Sequence, residues 1–590
     1  MKKMFTMAVI LGLAVPVFST EYYVEKGGND DNPGTRMQPF RTIQKAVELM
    51  QPGDSCTVSR GLYRECLRPV RSGKAGSPIL IQAASNETVT LAGVDEATGW
   101  QQSTNQAYRI KVEIAMQVLV DGFPALSCRS FPQLTSGERP VWFHDVENGF
   151  VYVRMPGGEA PHGRHIEIQT RAWGLDAGGV DYFELRGFNL KGCGVNLAGS
   201  RSCGLLDCHL WWSGDWSRTP LKVSGLTNGL PCAAAVVMGG GENEMLDSSI
   251  IGNIGFAVAM TSGSENNRLV NSLLRGWERN SGDIPAILVQ GIAPVIRNVT
   301  VMDYAGGALL CSNVLNARIE NNDFHHLGAG RTNASMVRLM GDGKGTVLAW
   351  NWIHDNASVQ GEGIRFDGAV ENYVVRQNVI WGNSGTAVAL EGSSRFNYIV
   401  NNTCTMNGSG IDAGSGAHNN DFRETRILNN ILVGPVWPSC GGHPPAKVVW
   451  KSNYTGSTPG FVDETNRNFS LRTGSPCVDA GQEEPEMTDE YTGRLPDMGA
   501  YETGSGFPRP GCRVLESANQ VIPPQVKLIL ESGTDGAEIR YTLDGRNPDQ
   551  SSLLYTGAVP VIYGAMVKAR AFLSGREDSA TFEVHVRQIE

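Results

Sequence analysis

Two acidic residues occupy matching places in neighbouring repeats of this 590-residue chain. Gly363-Ile364-Arg365-Phe366-Asp367 sets an aspartate 11 residues before Asn378, and Val388-Ala389-Leu390-Glu391 sets a glutamate 11 residues before Asn402. Equal offsets assign both acids to one station of two consecutive rungs. Paired strands lie about 4.8 Å apart, so the two carboxyls would approach to roughly 5 Å. That is the separation at which an Asp/Glu pair performs retaining glycoside hydrolysis. Repulsion at such a distance raises one pKa and leaves the other group ionised, giving an acid and a nucleophile from one pair.

Facing follows from alternation. Ile364, Phe366, Val388 and Leu390 alternate with Arg365, Asp367, Ala389 and Glu391, so an inward apolar set turns the acids outward. Arg338, in Val337-Arg338-Leu339-Met340, aligns with Arg365 on that outer face. A guanidinium there can orient a carboxylate or hold an anionic sugar. Glu362, Asp342 and Asp355 are further acids near the pair, and each reads equally well as a loop residue. Trp381, Trp352 and Trp277 can serve as sugar-stacking platforms or pack against loops. His325, His326 and His354 follow the turn asparagines, where a surface role is commoner than a base. Asn29-Asp30-Asp31-Asn32 offers oxygen ligands for Ca²⁺, although a turn is the simpler reading. No cofactor is otherwise expected.

The elements that must position these residues form a repeat. Asn322, Asn351, Asn378, Asn402 and Asn430 each sit between β-branched or leucine residues, at separations of 29, 27, 24 and 28. Weaker copies precede them at Leu206-Asp207-Cys208, Leu246-Asp247-Ser248 and Asn271-Ser272. A period of that size with short alternating strands marks a solenoid. Asparagine suits the turn because it tolerates the left-handed conformation and can bond to its counterpart one rung away. The fold class expected is all-β: a right-handed parallel β-helix with a small inserted β-sandwich and a C-terminal β-sandwich. Residues 1–20 read as a secretory signal, with Met1-Lys2-Lys3 followed by an apolar run, and imply a secreted or periplasmic protein. Residues 21–99 read as an N-terminal cap and first rungs, 100–170 as the insert, 171–503 as the β-helix and 511–590 as the last module. The Ile43, Ala46, Val47 and Met50 spacing predicts a short helix over the open end of the coil.

Composition narrows the partners. Fifty basic against 60 acidic residues give a net charge of −10 with no basic tract, which speaks against nucleic acid. No later run is long and apolar enough to span a membrane. Twelve cysteines without a C-x-x-C pair give a zinc site little support. The expected partner is a poly- or oligosaccharide substrate. Oligomeric state is not legible.

Several stretches resemble known families. The segment from Tyr22 to Glu65 resembles the N-terminal cap of secreted bacterial β-helix polysaccharide lyases and glycosidases. Glu538-Ile539-Arg540-Tyr541-Thr542-Leu543-Asp544-Gly545 resembles the C-terminal sandwich of chitobiase-like enzymes, usually an accessory module. Gly363–Asp367 and Val388–Gly392 resemble the catalytic segments of glycoside hydrolase family 120, the β-helix β-xylosidases. That likeness implies Asp367 as nucleophile and Glu391 as acid/base, while Arg338, Arg365, Glu362 and Trp381 are read from the residues themselves as substrate contacts. Arg365 stands where that family carries an aromatic residue, and Gly392-Ser393-Ser394-Arg395 departs from its pattern, which bears on xylose specificity. A polysaccharide lyase using Arg338 or Arg365, and a non-catalytic carbohydrate-binding protein, are the competing expectations. No Lys–Arg pair with stacked spacing supports the lyase, Lys344 lying in a glycine-rich loop.

Overall fold

The structure is a computed structural model describing residues 19–585 apart from 105, 136, 138, 214–233, 254, 277–283, 414–419, 489–490, 506–509, 513–524, 529–536, 543–546, 551, 556–558, 563–565 and 573–581. The signal segment, Ser19 and Thr20 excepted, and Trp277 therefore lie outside the described residues. The architecture is a right-handed parallel β-helix: a 23-stranded sheet and a 12-stranded sheet in which consecutive rungs pair in parallel, with the handedness that parallel crossovers obey. Three consecutive rungs carry the two acids and the two arginines. They run Ser335–Ala349 then Trp352–His354, Glu362–Arg376 then Val379–Trp381, and Thr386–Glu391 through Tyr398–Val400 to Thr403–Thr405.

Inward positions are apolar throughout. Val337, Leu339, Ile364, Phe366, Val388 and Leu390 are all 0–1% exposed, so hydrophobic burial fixes which face each strand turns outward. The helix forms at Ile43–Leu49, burying Ile43, Ala46 and Val47 on the end of the coil. Asp30 engages both carboxylate oxygens near its start, accepting the Arg41 and Thr42 amides at 2.9 Å and the Thr42 hydroxyl at 2.9 Å. Asp30 thus braces the start of the helix, and among the described residues no group of three or more His, Cys, Asp and Glu side chains is placed to hold a metal ion.

The asparagine ladder exists, but with a division of labour that the repeat does not reveal. Asn322, Asn351, Asn378, Asn402 and Asn430 point inward with no exposure. Each side-chain amide donates to the next Oδ1 at 2.9–3.0 Å, ending on Asn453. The left-handed conformation belongs to the residue before each: Asn321, Trp350, Gln377, Asn401 and Asn429, with φ from 53° to 56°. Cys208 and Ser248 hold the same station in earlier rungs through Ser hydroxyls.

A separate sandwich interrupts the coil. Val94–Glu96, Gln117–Val120, Phe123–Pro124 and Ile166–Gln169 form one sheet, and five strands between Gln101 and Arg154 form the other. Trp100, Val118, Trp142, Val151 and Ile168 pack between them. Beyond the last rung the chain turns back along the shorter sheet. Gly499 N donates to Asn429 O, Ala500 N to Thr403 Oγ1, Gly511 N to Asn321 O and Cys512 N to Thr300 Oγ1. Most of the eleven described cysteines are buried, packing as small apolar residues. No helix of the described residues is long and apolar enough to cross a membrane.

Candidate active site

Asp367 and Glu391 are direct partners in the parallel ladder, with Ile364 opposite Val388, Arg365 opposite Ala389 and Phe366 opposite Leu390 leading up to them. Arg338 stands opposite Arg365 one rung earlier. Five of the six site residues read from the sequence therefore meet on one outer face: Asp367, Glu391, Arg338, Arg365 and Glu362.

Both acids end a straight stretch of strand because a glycine follows each. Gly368 has φ +80°, and a Cβ there would meet nothing within 4 Å, while a Cβ on Gly392 (φ +125°) would lie 2.4 Å from the Gly368 carbonyl. Only glycine allows this close rung-on-rung bend. Asp367 consequently sits at a bend within Glu362–Arg376, and Glu391 at the end of Thr386–Glu391.

Charges knit the face together. Arg338 donates from Nε (2.7 Å) and from Nη2 to Asp367 Oδ2, and Arg365 Nε lies 3.7 Å from Oδ1. Arg365 Nη1 is 3.3 Å from both oxygens of Glu362. Ser335, paired with Glu362 in the ladder, donates its hydroxyl to Oε2 at 2.6 Å. The Glu391 side chain makes no hydrogen bond to a described residue. Burial pushes the Glu362 carboxyl above the usual range, the Glu391 charge adding to it while Arg365 and Ser335 oppose. Burial would lower Arg365, yet the carboxylates of Glu362, Asp367 and Glu391 raise it overall. Sequence reasoning misses Ser335, although its 27-residue distance from Glu362 equals that between Arg338 and Arg365.

Glu362 yields a pH prediction. Its folded pKa lies above the unfolded value of 4.5, so its stabilising contribution is complete below that value and is lost as pH rises through the folded pKa. Glu362→Gln is expected to flatten the decline of melting temperature with pH just above 4.5. Parallel melting curves of the two proteins across that window would refute the assignment.

Trp381 is corrected by the structure. It lies on the shorter sheet, 5% exposed, between the His354 ring at 4.1 Å and the Arg467 guanidinium at 4.6 Å, with Phe469 beside it. The hairpin Phe461–Asp463 to Asn468–Leu471 covers it, so it cannot reach a sugar at Asp367. Trp352 is likewise buried, donating to the Tyr501 hydroxyl at 2.9 Å. The histidines belong to this second face. His354 bridges Asp323 and Asp355 at 2.9 Å each. Burial opposes its protonation, yet the bonds to the two aspartates outweigh burial and raise its pKa. Burial drives His325 down to about 4. Asp342 braces a corner through Asn372 and Lys344.

Comparison with known proteins matches separate regions. Residues 285–441 match the description right handed beta helix region, 518–583 the chitobiase/beta-hexosaminidase C-terminal domain, and 26–104 a protein of unknown function (DUF1565). The uncharacterized protein YwoF of Bacillus subtilis (strain 168) is 33% identical over 97 residues, 16% of this chain. The aligned part is 21% of that protein, so the chain spans about a fifth of the curated relative it matches. Among solved structures, XylC in complex with xylose is 15% identical, with 70% of this chain and 76% of that chain covered at TM-score 0.48. A glycoside hydrolase is 12% identical (77% and 99%, TM-score 0.42), and the pectate lyase Pel9A 15% identical (82% and 97%, TM-score 0.40).

Proposed function

We propose that this chain is an exported carbohydrate-active enzyme, specifically a retaining glycoside hydrolase with Asp367 as nucleophile and Glu391 as acid/base. The in-register pairing of those two acids on adjacent strands carries the reading, because neighbouring strands hold carboxyls at the spacing retention requires. Two arginines clamp Asp367, which fixes the direction in which its carboxylate points. Glu391, without a bonded partner among the described residues, is free to give a proton to the leaving oxygen. Asp367 then attacks the anomeric carbon, and Glu391 takes a proton from the water that releases the sugar. Glu362 and Ser335 position Arg365. The region matching the chitobiase C-terminal domain fits an accessory role in saccharide recognition.

A lyase reading is less well supported. Its uronate needs free positive charge, whereas Arg338 and Arg365 are already bonded to carboxylates, and three acids face two guanidiniums. Proton NMR of the first product from aryl glycosides and a polysaccharide panel tests the proposal. Retained anomeric configuration is the expected result. Inversion, an unsaturated-uronate absorbance, or binding without turnover would each overturn it.

A further inference from the structure

A column of left-handed turn residues runs along one corner of the coil. Asn316, Gly345, Asn372, Phe396 and Glu424 stack rung on rung, with φ of 56°, 73°, 63°, 58° and 55°. Asparagine and glycine take this conformation readily, whereas other L-residues lose roughly 1–2 kcal/mol in it. Phe396 is the exception in bulk. It is also 41% exposed, the single exposed Phe, Tyr or Trp among the described side chains. Tyr182, Trp212, Trp350 and Trp437 share the left-handed backbone but none of them is exposed, so it is the combination with exposure that sets Phe396 apart and points to a ligand.

Its place is informative. Phe396 follows Glu391 by five residues on the same rung, at most about 17 Å along the chain. Asn372 holds the same turn on the rung that supplies Asp367. Between acids and ring lie the Gly368 and Gly392 bend and an outward ion pair, Arg395 Nη2 to Glu371. Hydrogen-bonding groups beside an apolar ring face suit a sugar, whose hydroxyls lie at its rim and whose C–H groups lie on its face.

We propose that Phe396 is the platform of a distal saccharide subsite. A glycan held at Asp367 and Glu391 then runs along the rung, over the Glu371–Arg395 pair, to the Phe396 ring. This rests on the glycosidase reading above, and assigns it a substrate of several sugar units rather than a disaccharide.

The test compares Phe396→Ala and Phe396→Tyr with the parent on xylo-, cello- and mannotetraose and on the matching 4-nitrophenyl monoglycosides. In Phe396→Ala the ratio of kcat/KM on tetrasaccharide to that on monoglycoside should fall about tenfold, equivalent to ~1.4 kcal/mol. Phe396→Tyr should preserve it. An unchanged ratio overturns the subsite. A second arm needs no turnover: Asp367→Asn, with and without Phe396→Ala, is run in gels cast with arabinoxylan, hydroxyethylcellulose or galactomannan. Retardation that weakens with Phe396→Ala supports the ring as a saccharide contact, even where the parent cleaves nothing and the hydrolase reading has failed. Retardation that is absent, or indifferent to Phe396, overturns it.

Discussion

Replacing Asp367 by asparagine is expected to lower kcat by about 10³- to 10⁴-fold, the scale on which positioned carboxyl chemistry contributes. The substitution is isosteric. Its remaining oxygen still accepts from Arg338, but the new amide meets a guanidinium donor with a donor of its own. The two arginine side chains are 31% and 26% exposed, so water can take up the lost bonds and the stability loss should stay near ~1 kcal/mol. A circular-dichroism melt and a single-turnover assay on an aryl glycoside separate the two effects. Azide should restore activity to Asp367→Ala with inverted product, because it attacks from the face that the carboxylate has vacated and no second displacement follows. Turnover above a tenth of the parent rate in Asp367→Asn would remove Asp367 from the mechanism.

The largest stability effect is expected inside the coil. Asn378 has no exposure, and its amide donates to Leu348 O, Arg376 O and Asn402 Oδ1 while its Oδ1 accepts from Asn351. Leucine is similar in volume but leaves these buried backbone and amide groups unpaired. At about 1–3 kcal/mol for each orphaned polar group, Asn378→Leu should cost roughly 4–5 kcal/mol. Each rung leans only on its neighbours, so the damage should begin locally. Hydrogen exchange should accelerate first in Trp352–His354 and Thr403–Thr405, and urea unfolding should lose cooperativity. Unaltered protection of those strands would show that the ladder is dispensable.

The candidate site is legible to an unusual degree for one sequence, and the reason is geometric. In a solenoid the spatial neighbour of a residue is the residue one repeat away, so equal offsets from an inward asparagine become equal stations on the stack. Asp367 meets Glu391, and Arg338 meets Arg365, for that reason alone. Ser335 obeys the same rule, but a lone serine carries no signal that would single it out. The ladder asparagines are where the repeat locates them, yet the left-handed turn belongs to Asn321, Trp350, Gln377, Asn401 and Asn429 instead. Composition cannot separate two adjacent asparagines.

By itself, then, the sequence determined the all-β solenoid, the inward and outward alternation, and the meeting of two acids with two arginines. Each depends on contacts repeated at a fixed spacing. Tertiary structure alone decided that Trp381 is roofed by the Phe461–Leu471 hairpin, that His354 is gripped by two aspartates, that Gly499, Ala500, Gly511 and Cys512 dock along the shorter sheet, and that Phe396 stands exposed on the rung of Glu391. The hairpin and the returning chain join segments with no common period, as Trp352 joins Tyr501 across 149 residues, and no spacing in the chain encodes those contacts.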